Sequence, residues 1–177
     1  CDSTLIVDST TAVEGNAFKD NVEKLVEKAR IHYEKLSLSS ACEAVLEIGN
    51  VGNSYMDERA PWSLFKQGGA ASRAAAEDLV IILEAVRIIA VALSPITPSL
   101  SWRIYAQLGY SRDQFDAATW RDTEWGGLKG GQVMAQPKPV FARIESQTEV
   151  EDKGTAVEKT VKKTKRKMTQ PQAVAEA

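Results

Sequence analysis

The stretch from Arg73 to Leu93 constrains this chain more than any other. It places Leu79, Ile82, Leu83, Val86, Ile89, Ala90 and Leu93 so that they cover most of the circumference of a helix rather than one stripe. A helix that is apolar nearly all round must be enclosed by other elements, so this one is predicted to lie in the middle of a helical bundle. Gly68-Gly69 breaks the chain before it, Ser72 is the expected start, and Pro95 and Pro98 end it. Glu84 and Arg87 interrupt the run from Leu79 to Leu93, which falls short of the roughly 18 uncharged residues of a membrane span. No membrane partner is expected.

Amphipathic helices are available to surround it. Phe18, Val22, Leu25, Ala29 and Tyr33 share one face of a helix from about 17 to 35, opposite a solvated face of Lys19, Glu23, Lys24, Glu27 and Lys28. Ser40 and Glu43 have capping-box spacing and predict a helix that starts at Ser40 and ends before Pro61. Its inner face is Ala41, Val45, Ile48, Gly52 and Tyr55. Gly49 and Gly52 each weaken such a helix by roughly 1 kcal/mol relative to Ala, and predict a tight helix crossing. Thr97-Pro98 has the form of an N-cap and first helical residue. Leu100, Ile104, Tyr105 and Leu108 follow as an apolar face closed by Gly109. Ser111 and Gln114 form a second capping box.

From Trp120 the pattern changes. Gly126-Gly127 and Gly130-Gly131 mark loops, and Val133, Val140, Phe141 and Ile144 predict a short extended or hairpin segment folded back on the bundle. Residues 1–16 read as a loop that can hold one extended segment, Leu5-Ile6-Val7. From Ser146 onward there is no periodicity and no aromatic residue, so 146–177 is expected to be a disordered, Lys-rich tail. The expected organisation is a loop over 1–16, a helical domain over 17–145 and the tail. The fold class is mainly α, with a short extended C-terminal segment.

Charge limits the partners. The net charge is −2, but residues 151–177 hold seven Lys/Arg against four Asp/Glu, and 1–150 hold fifteen against twenty. A mildly acidic body does not attract phosphates through bulk charge, so a nucleic-acid contact must be local and rely on stacking. Cys1 and Cys42 form neither a disulfide framework nor a metal site, which points to a reducing compartment.

Catalytic chemistry is not visible. His32 is the one histidine, too few for a zinc constellation or a Ser-His-Asp set. Gly126-Gly-Leu-Lys-Gly-Gly131 lacks the Gly-x-x-x-x-Gly-Lys-Ser/Thr order of a phosphate loop and reads as a pair of turns. Asp57-Glu58 and Glu77-Asp78 read as solvated helix surface. No catalytic residue and no metal ligand is assigned, and no cofactor is expected to bind this chain. What remains is a binding or interaction module.

The sharpest local signal is Pro61-Trp62. Pro61 cannot continue the preceding helix and disfavours helical geometry at Ala60. Trp62 is therefore held just past a rigid corner. Sequence pattern alone leaves open whether its ring plugs the core or meets a ligand. Around it, Asn53-Ser-Tyr-Met-Asp-Glu-Arg-Ala-Pro-Trp62 with Lys66, then Leu93-Ser-Pro-Ile-Thr-Pro98, Gln107-Leu-Gly109 and Pro139-Val-Phe-Ala-Arg-Ile-Glu145 resemble methionyl-tRNA synthetases, in order, over about residues 17–145. The first pattern is specific. Leu-x-Pro-x-x-Pro occurs in other class I synthetases. The likeness is greatest to the bacterial and organellar branch, particularly that of plants.

The resemblance implies the anticodon-binding helical bundle of a class I synthetase, and recognition of the CAU anticodon of methionine tRNA. Trp62 would stack on an unstacked anticodon base and Pro61 would line the same pocket. Asn53 and Tyr55 would fix the helix against its neighbours or touch tRNA, and Arg59 and Lys66 could approach phosphates; Lys138 and Arg143 are further candidates. Trp102, Tyr105, Trp120 and Trp125 are expected to be packing residues. The parent enzyme would attach methionine to its tRNA with ATP and Mg, in the chloroplast and/or mitochondrion, with the cytoplasm as the alternative location. Its nucleotide-binding signatures, His-Ile-Gly-His and Lys-Met-Ser-Lys-Ser, are not in these 177 residues, and Lys167-Met168-Thr169 is a decoy in the tail.

The chain is thus expected to be a fragment inactive by itself, partnered by methionine tRNA and by the catalytic domain of its parent. It would start after an anticodon-contacting helix that the family has upstream. That loss would expose apolar faces of the helices at 17–35 and 40–58 and favour self-association. The alternatives are the anticodon domain of a leucine- or valine-type synthetase, or a helical protein-interaction domain with a basic tail.

Overall fold

The computed structural model describes Thr4, Leu5, Asp8, Ser9 and residues 16–141. Among these, six helices follow one another: α1 (Ala17–Glu34), α2 (Leu38–Arg59), α3 (Pro61–Gln67), α4 (Gly69–Leu93), α5 (Pro98–Gln107) and α6 (Arg112–Asp116). A 3-10 turn at Trp120–Thr123 completes the set. Helix α4 is the axis, in contact with α1, α2, α3, α5 and the 3-10 turn. Its buried residues lie on several faces, as a central helix requires.

The main core lies between α1, α2 and α4. Phe18, Val22 and Ala29 meet Ala44, Val45 and Ile48 of α2 and Ile81, Ala85 and Ile88 of α4. These are the faces that the spacing of apolar residues predicts. A second cluster joins Ala90 and Val91 of α4 to Tyr105 and Phe115, with Trp102 against it. Trp120 and Trp125 pack on the main core, Trp120 edge-on to Tyr33 at 5.6 Å between ring centroids.

Helix boundaries depart from the sequence reading where local capping chemistry loses to packing. Helix α4 begins at Gly69, not Ser72. Helix α2 begins at Leu38 with Ser37 at its N-cap, so Ser40 and Glu43 lie inside the helix and form no capping box. The physical reason is the tight turn before it. Leu36 adopts φ 56°, and the N–H groups of Leu36 and Ser37 donate to the carbonyls of Tyr33 and His32. The helical ladder therefore starts with Ala41 N–H donating to Ser37 O at 3.0 Å. The second capping box forms as expected, with the Ser111 and Gln114 side chains each bonded to the other's backbone N–H.

The glycines of α2 do not mark a tight crossing. A Cβ on Gly49 would meet nothing within 4 Å, and one on Gly52 would reach only the Ile82 and Phe18 side chains at ordinary contact distances.

No hairpin forms among the described residues. Instead the segment after the 3-10 turn runs back along the bundle and makes one antiparallel bridge, Val133 with Thr4. Leu5 N–H donates to Gln132 O at 3.0 Å, and Gly131 N–H to Leu5 O at 2.8 Å. Extended residues at both ends of the domain satisfy each other rather than a neighbouring strand in sequence. Gly109 permits the segment's approach: its φ is 90°, and a Cβ there would stand 2.1 Å from Val133 O. Ile144, Arg143 and the tail over 146–177 lie outside the described residues.

Two polar residues of the apolar helix α4 explain the glycine-rich loop. Glu84 and Arg87 are buried and paired at 2.7 Å. The Glu84 carboxylate also accepts from the backbone N–H groups of Gly126, Gly127 and Leu128 at 2.7, 2.9 and 2.9 Å. Arg87 donates to the carbonyls of Asp122 and Glu124. Burial pulls the Arg87 pKa down, but Glu84 more than offsets it, and the guanidinium is held above its ordinary value. The loop is thus a nest of N–H donors around a carboxylate of the protein itself.

Candidate nucleic-acid interface

The corner between α2 and α3 is built as its sequence dictates. Ala60 precedes a proline and takes the left-handed conformation, φ 43° and ψ 56°, closing α2 with its N–H on Met56 O. Pro61 then occupies the first helical position of α3, where a missing N–H is harmless. The Pro61 ring is fully buried, so it wedges the corner against the bundle rather than lining an exposed surface. Trp62, one residue on, is 51% exposed, and Phe65 is 46% exposed. Among the described residues neither ring contacts another aromatic ring, whereas those of Trp102, Tyr105, Trp120 and Trp125 all do.

A buried carboxylate on α4 ties the corner down. Asp78, expected from sequence to be solvated surface, is 2% exposed. It stands on the face of Ile81, Ile82 and Ala85, and that spacing was the available signal. Asp78 accepts from the Tyr55 hydroxyl at 2.7 Å and from Arg59 Nε at 2.9 and 3.1 Å. The Asn16 amide donates to the Tyr55 oxygen at 3.5 Å, and Asn16 also caps α1 by accepting from Phe18 N–H at 2.9 Å. Burial, with the hydrogen bond to Asp78, pushes the Tyr55 phenol up. The hydrogen bond and charge of Asp78 hold the Arg59 guanidinium above its usual value.

The six residues singled out from sequence therefore occupy different positions. Tyr55 and Arg59 bind α2 to α4 through Asp78, and Pro61 is buried beneath the corner. Asn53 and Lys66 are exposed, and among the described residues their side chains hold no hydrogen bond or ion pair. Trp62 presents part of its ring to solvent. Lys138 belongs to another surface, where its backbone exchanges two hydrogen bonds with the Gln107 side chain, at 2.8 and 2.9 Å. Phe65 and Asp78 were not identified from sequence. What the corner offers chemically is a flat ring on a rigid mount beside the exposed Lys66, which suits contact with a planar group. Among the described residues, no group of three His, Cys, Asp or Glu could hold a metal ion.

Comparison with known proteins gives the same direction. Residues 7–157 match the family described as the anticodon binding domain of methionyl tRNA ligase. The chain is 71% identical over 152 residues to the chloroplastic/mitochondrial methionine–tRNA ligase of Arabidopsis thaliana, covering 86% of this chain and 25% of that protein. It is 38% identical over 149 residues to the methionine–tRNA ligase of a Synechocystis species, covering 77% and 27%. A Mycobacterium tuberculosis methionyl-tRNA synthetase, solved with methionyl-adenylate, shares the fold at TM-score 0.67 and 23% identity over 80% of this chain and 27% of that one. The chain thus spans about a quarter of the length of the curated relatives it matches. The chain belongs to the family of anticodon-binding domains of methionyl-tRNA ligases.

Proposed function

We propose that this domain reads the CAU anticodon of methionine tRNA for a longer ligase that joins methionine to that tRNA using ATP and Mg. The observation that carries the reading is Trp62. Its ring is half-exposed, without an aromatic partner among the described residues, and mounted on a corner fixed by Pro61 and by the Tyr55–Asp78–Arg59 network. Single-stranded loop bases are recognised by stacking and by edge hydrogen bonds, and stacking on an aromatic ring contributes about 1–3 kcal/mol. A stacking reader also accounts for nucleic-acid binding by a domain of acidic balance. Asn53 offers an exposed amide for a base edge and Lys66 an exposed ammonium for a phosphate. Arg59 and Tyr55 act by holding the corner.

The described residues do not fit an ATP–Mg site. The N–H groups of the glycine-rich loop are taken by Glu84, and no carboxylate cluster stands beside them. Methionine activation is therefore assigned to the rest of the longer protein. The likeness to the Arabidopsis enzyme supports a chloroplast or mitochondrial location, which fluorescent tagging of the full-length protein would test.

The direct test is binding of the methionine tRNA anticodon stem-loop to the full-length protein. Trp62→Ala should weaken it by about 10- to 100-fold. Leucine and valine stem-loops should bind more weakly than the methionine one. Unchanged affinity on loss of the ring would remove the stacking assignment.

A further inference from the structure

Helix α3 carries a second large exposed ring, Phe65. The seven residues Pro61–Gln67 bury Pro61 and half-bury Leu64. The outward positions are Trp62, Ser63, Phe65, Lys66 and Gln67. An ordinary solvated helix would turn its aromatic residue inward and its polar ones outward. Here the smaller apolar residue, Leu64, takes the inward place and Phe65 is left 46% exposed. Among the described residues Phe65 makes no contact with another aromatic ring. Its backbone carbonyl accepts from the Ser72 hydroxyl at 3.4 Å, which ties the end of α3 to the start of α4.

The spacing adds direction. Residues three apart on a helix are neighbours on one face, with about 5–6 Å between their Cβ atoms. Trp62 and Phe65 thus share one side of α3, 51% and 46% exposed. Lys66, exposed, follows Phe65 on the same short helix. Two adjacent open rings with a cation at the edge match successive bases of a single strand and the phosphate between them.

We propose that Phe65 is a second stacking platform, which takes the nucleotide next to the one held by Trp62 in the same single-stranded loop. This rests on the anticodon-reading role proposed above and extends it from one base to two. Phe65 touches the RNA directly, through its ring face, and its role requires a π-surface rather than apolar bulk.

The experiment uses the full-length protein with methionine tRNA anticodon stem-loops, each carrying the fluorescent base 2-aminopurine at one loop position. Phe65→Ala should weaken binding by about 5- to 30-fold. It should also relieve stacking-dependent quenching at one position while leaving the Trp62-dependent position quenched. Phe65→Tyr should retain both properties, and Phe65→Leu, which keeps apolar bulk without a ring, should behave like the alanine variant. If Phe65→Leu or Phe65→Ala binds and quenches as wild type while Trp62→Ala is weakened, the second platform is overturned and the first stands. If Trp62→Ala is itself without effect, the anticodon reading falls and the second platform falls with it.

Discussion

At the scale of single residues, position decides role more than chemistry does. Asp78 and Asp57 are both carboxylates on helices, yet Asp78 is buried and anchors two side chains while Asp57 is exposed. Tyr55→Phe removes a hydrogen bond to Asp78 but leaves Arg59 on the same carboxylate, so no charge is orphaned. The expected loss is about 1–2 kcal/mol in urea unfolding, with a smaller effect on tRNA binding than Trp62→Ala. Gly127→Ala should cost more. A Cβ there would stand 2.3 Å from Arg87 Cζ, and that guanidinium cannot swing aside without leaving its buried partner. About 3–5 kcal/mol is expected, the scale of breaking a buried pair, and a lowered Tm would show it. The inward place of Tyr55 was legible in its spacing from Ile48 and Gly52. The need for glycine at 127 was not, because it arises from a side chain forty residues away.

At the scale of elements, periodicity gave the helices and their inner faces, and turn chemistry alone misjudged some of their starts. The exception at the core of the fold is the Glu84–Arg87 pair, which in sequence only interrupts an apolar run. In three dimensions it fastens α4 to the 3-10 turn and to the loop over 124–128. Replacing a buried ion pair by apolar residues is often neutral. Here it should not be, because three backbone N–H donors would lose their acceptor along with the pair. Glu84→Gln is expected to destabilise by about 3 kcal/mol or more, since it leaves Arg87 uncompensated and weakens that set of acceptors. The double change Glu84→Leu with Arg87→Met should not restore stability. A denaturant series on the three proteins decides this, and full recovery in the double variant would show that the nest contributes little.

At the scale of the whole molecule, the tyrosines report burial together. Burial pushes the phenols of Tyr33, Tyr55 and Tyr105 up from the ordinary value of 10.0, and Tyr110 up to about 12. A raised phenol favours the fold fully below its unfolded pKa of 10.0, and that contribution is lost as pH rises towards 12. Phenolate absorbance should therefore be largely missing at pH 10 and emerge at higher pH together with loss of helical circular dichroism. On the acid side, hydrogen bonds from the Thr119 backbone N–H and hydroxyl hold Asp122 below its ordinary 3.8, so that stabilisation persists above 3.8 and fades as pH falls further. Large apolar side chains are exposed around the α1–α2 pair, at Ile31, Leu36, Leu38 and Leu46. Sedimentation of the 177-residue chain at rising concentration is expected to show association, and a clean monomer would contradict it.

The sequence by itself determined that a central apolar helix would be enclosed by amphipathic ones, because side-chain periodicity is a local property. It also determined the family, through a Pro-Trp corner whose neighbours keep their order along the chain. Only the tertiary structure decided which polar residues were interior, which rings were left outside, and what the glycine-rich loop holds. Those depend on which distant segments meet: a buried carboxylate is tolerable only where donors from elsewhere in the chain converge on it.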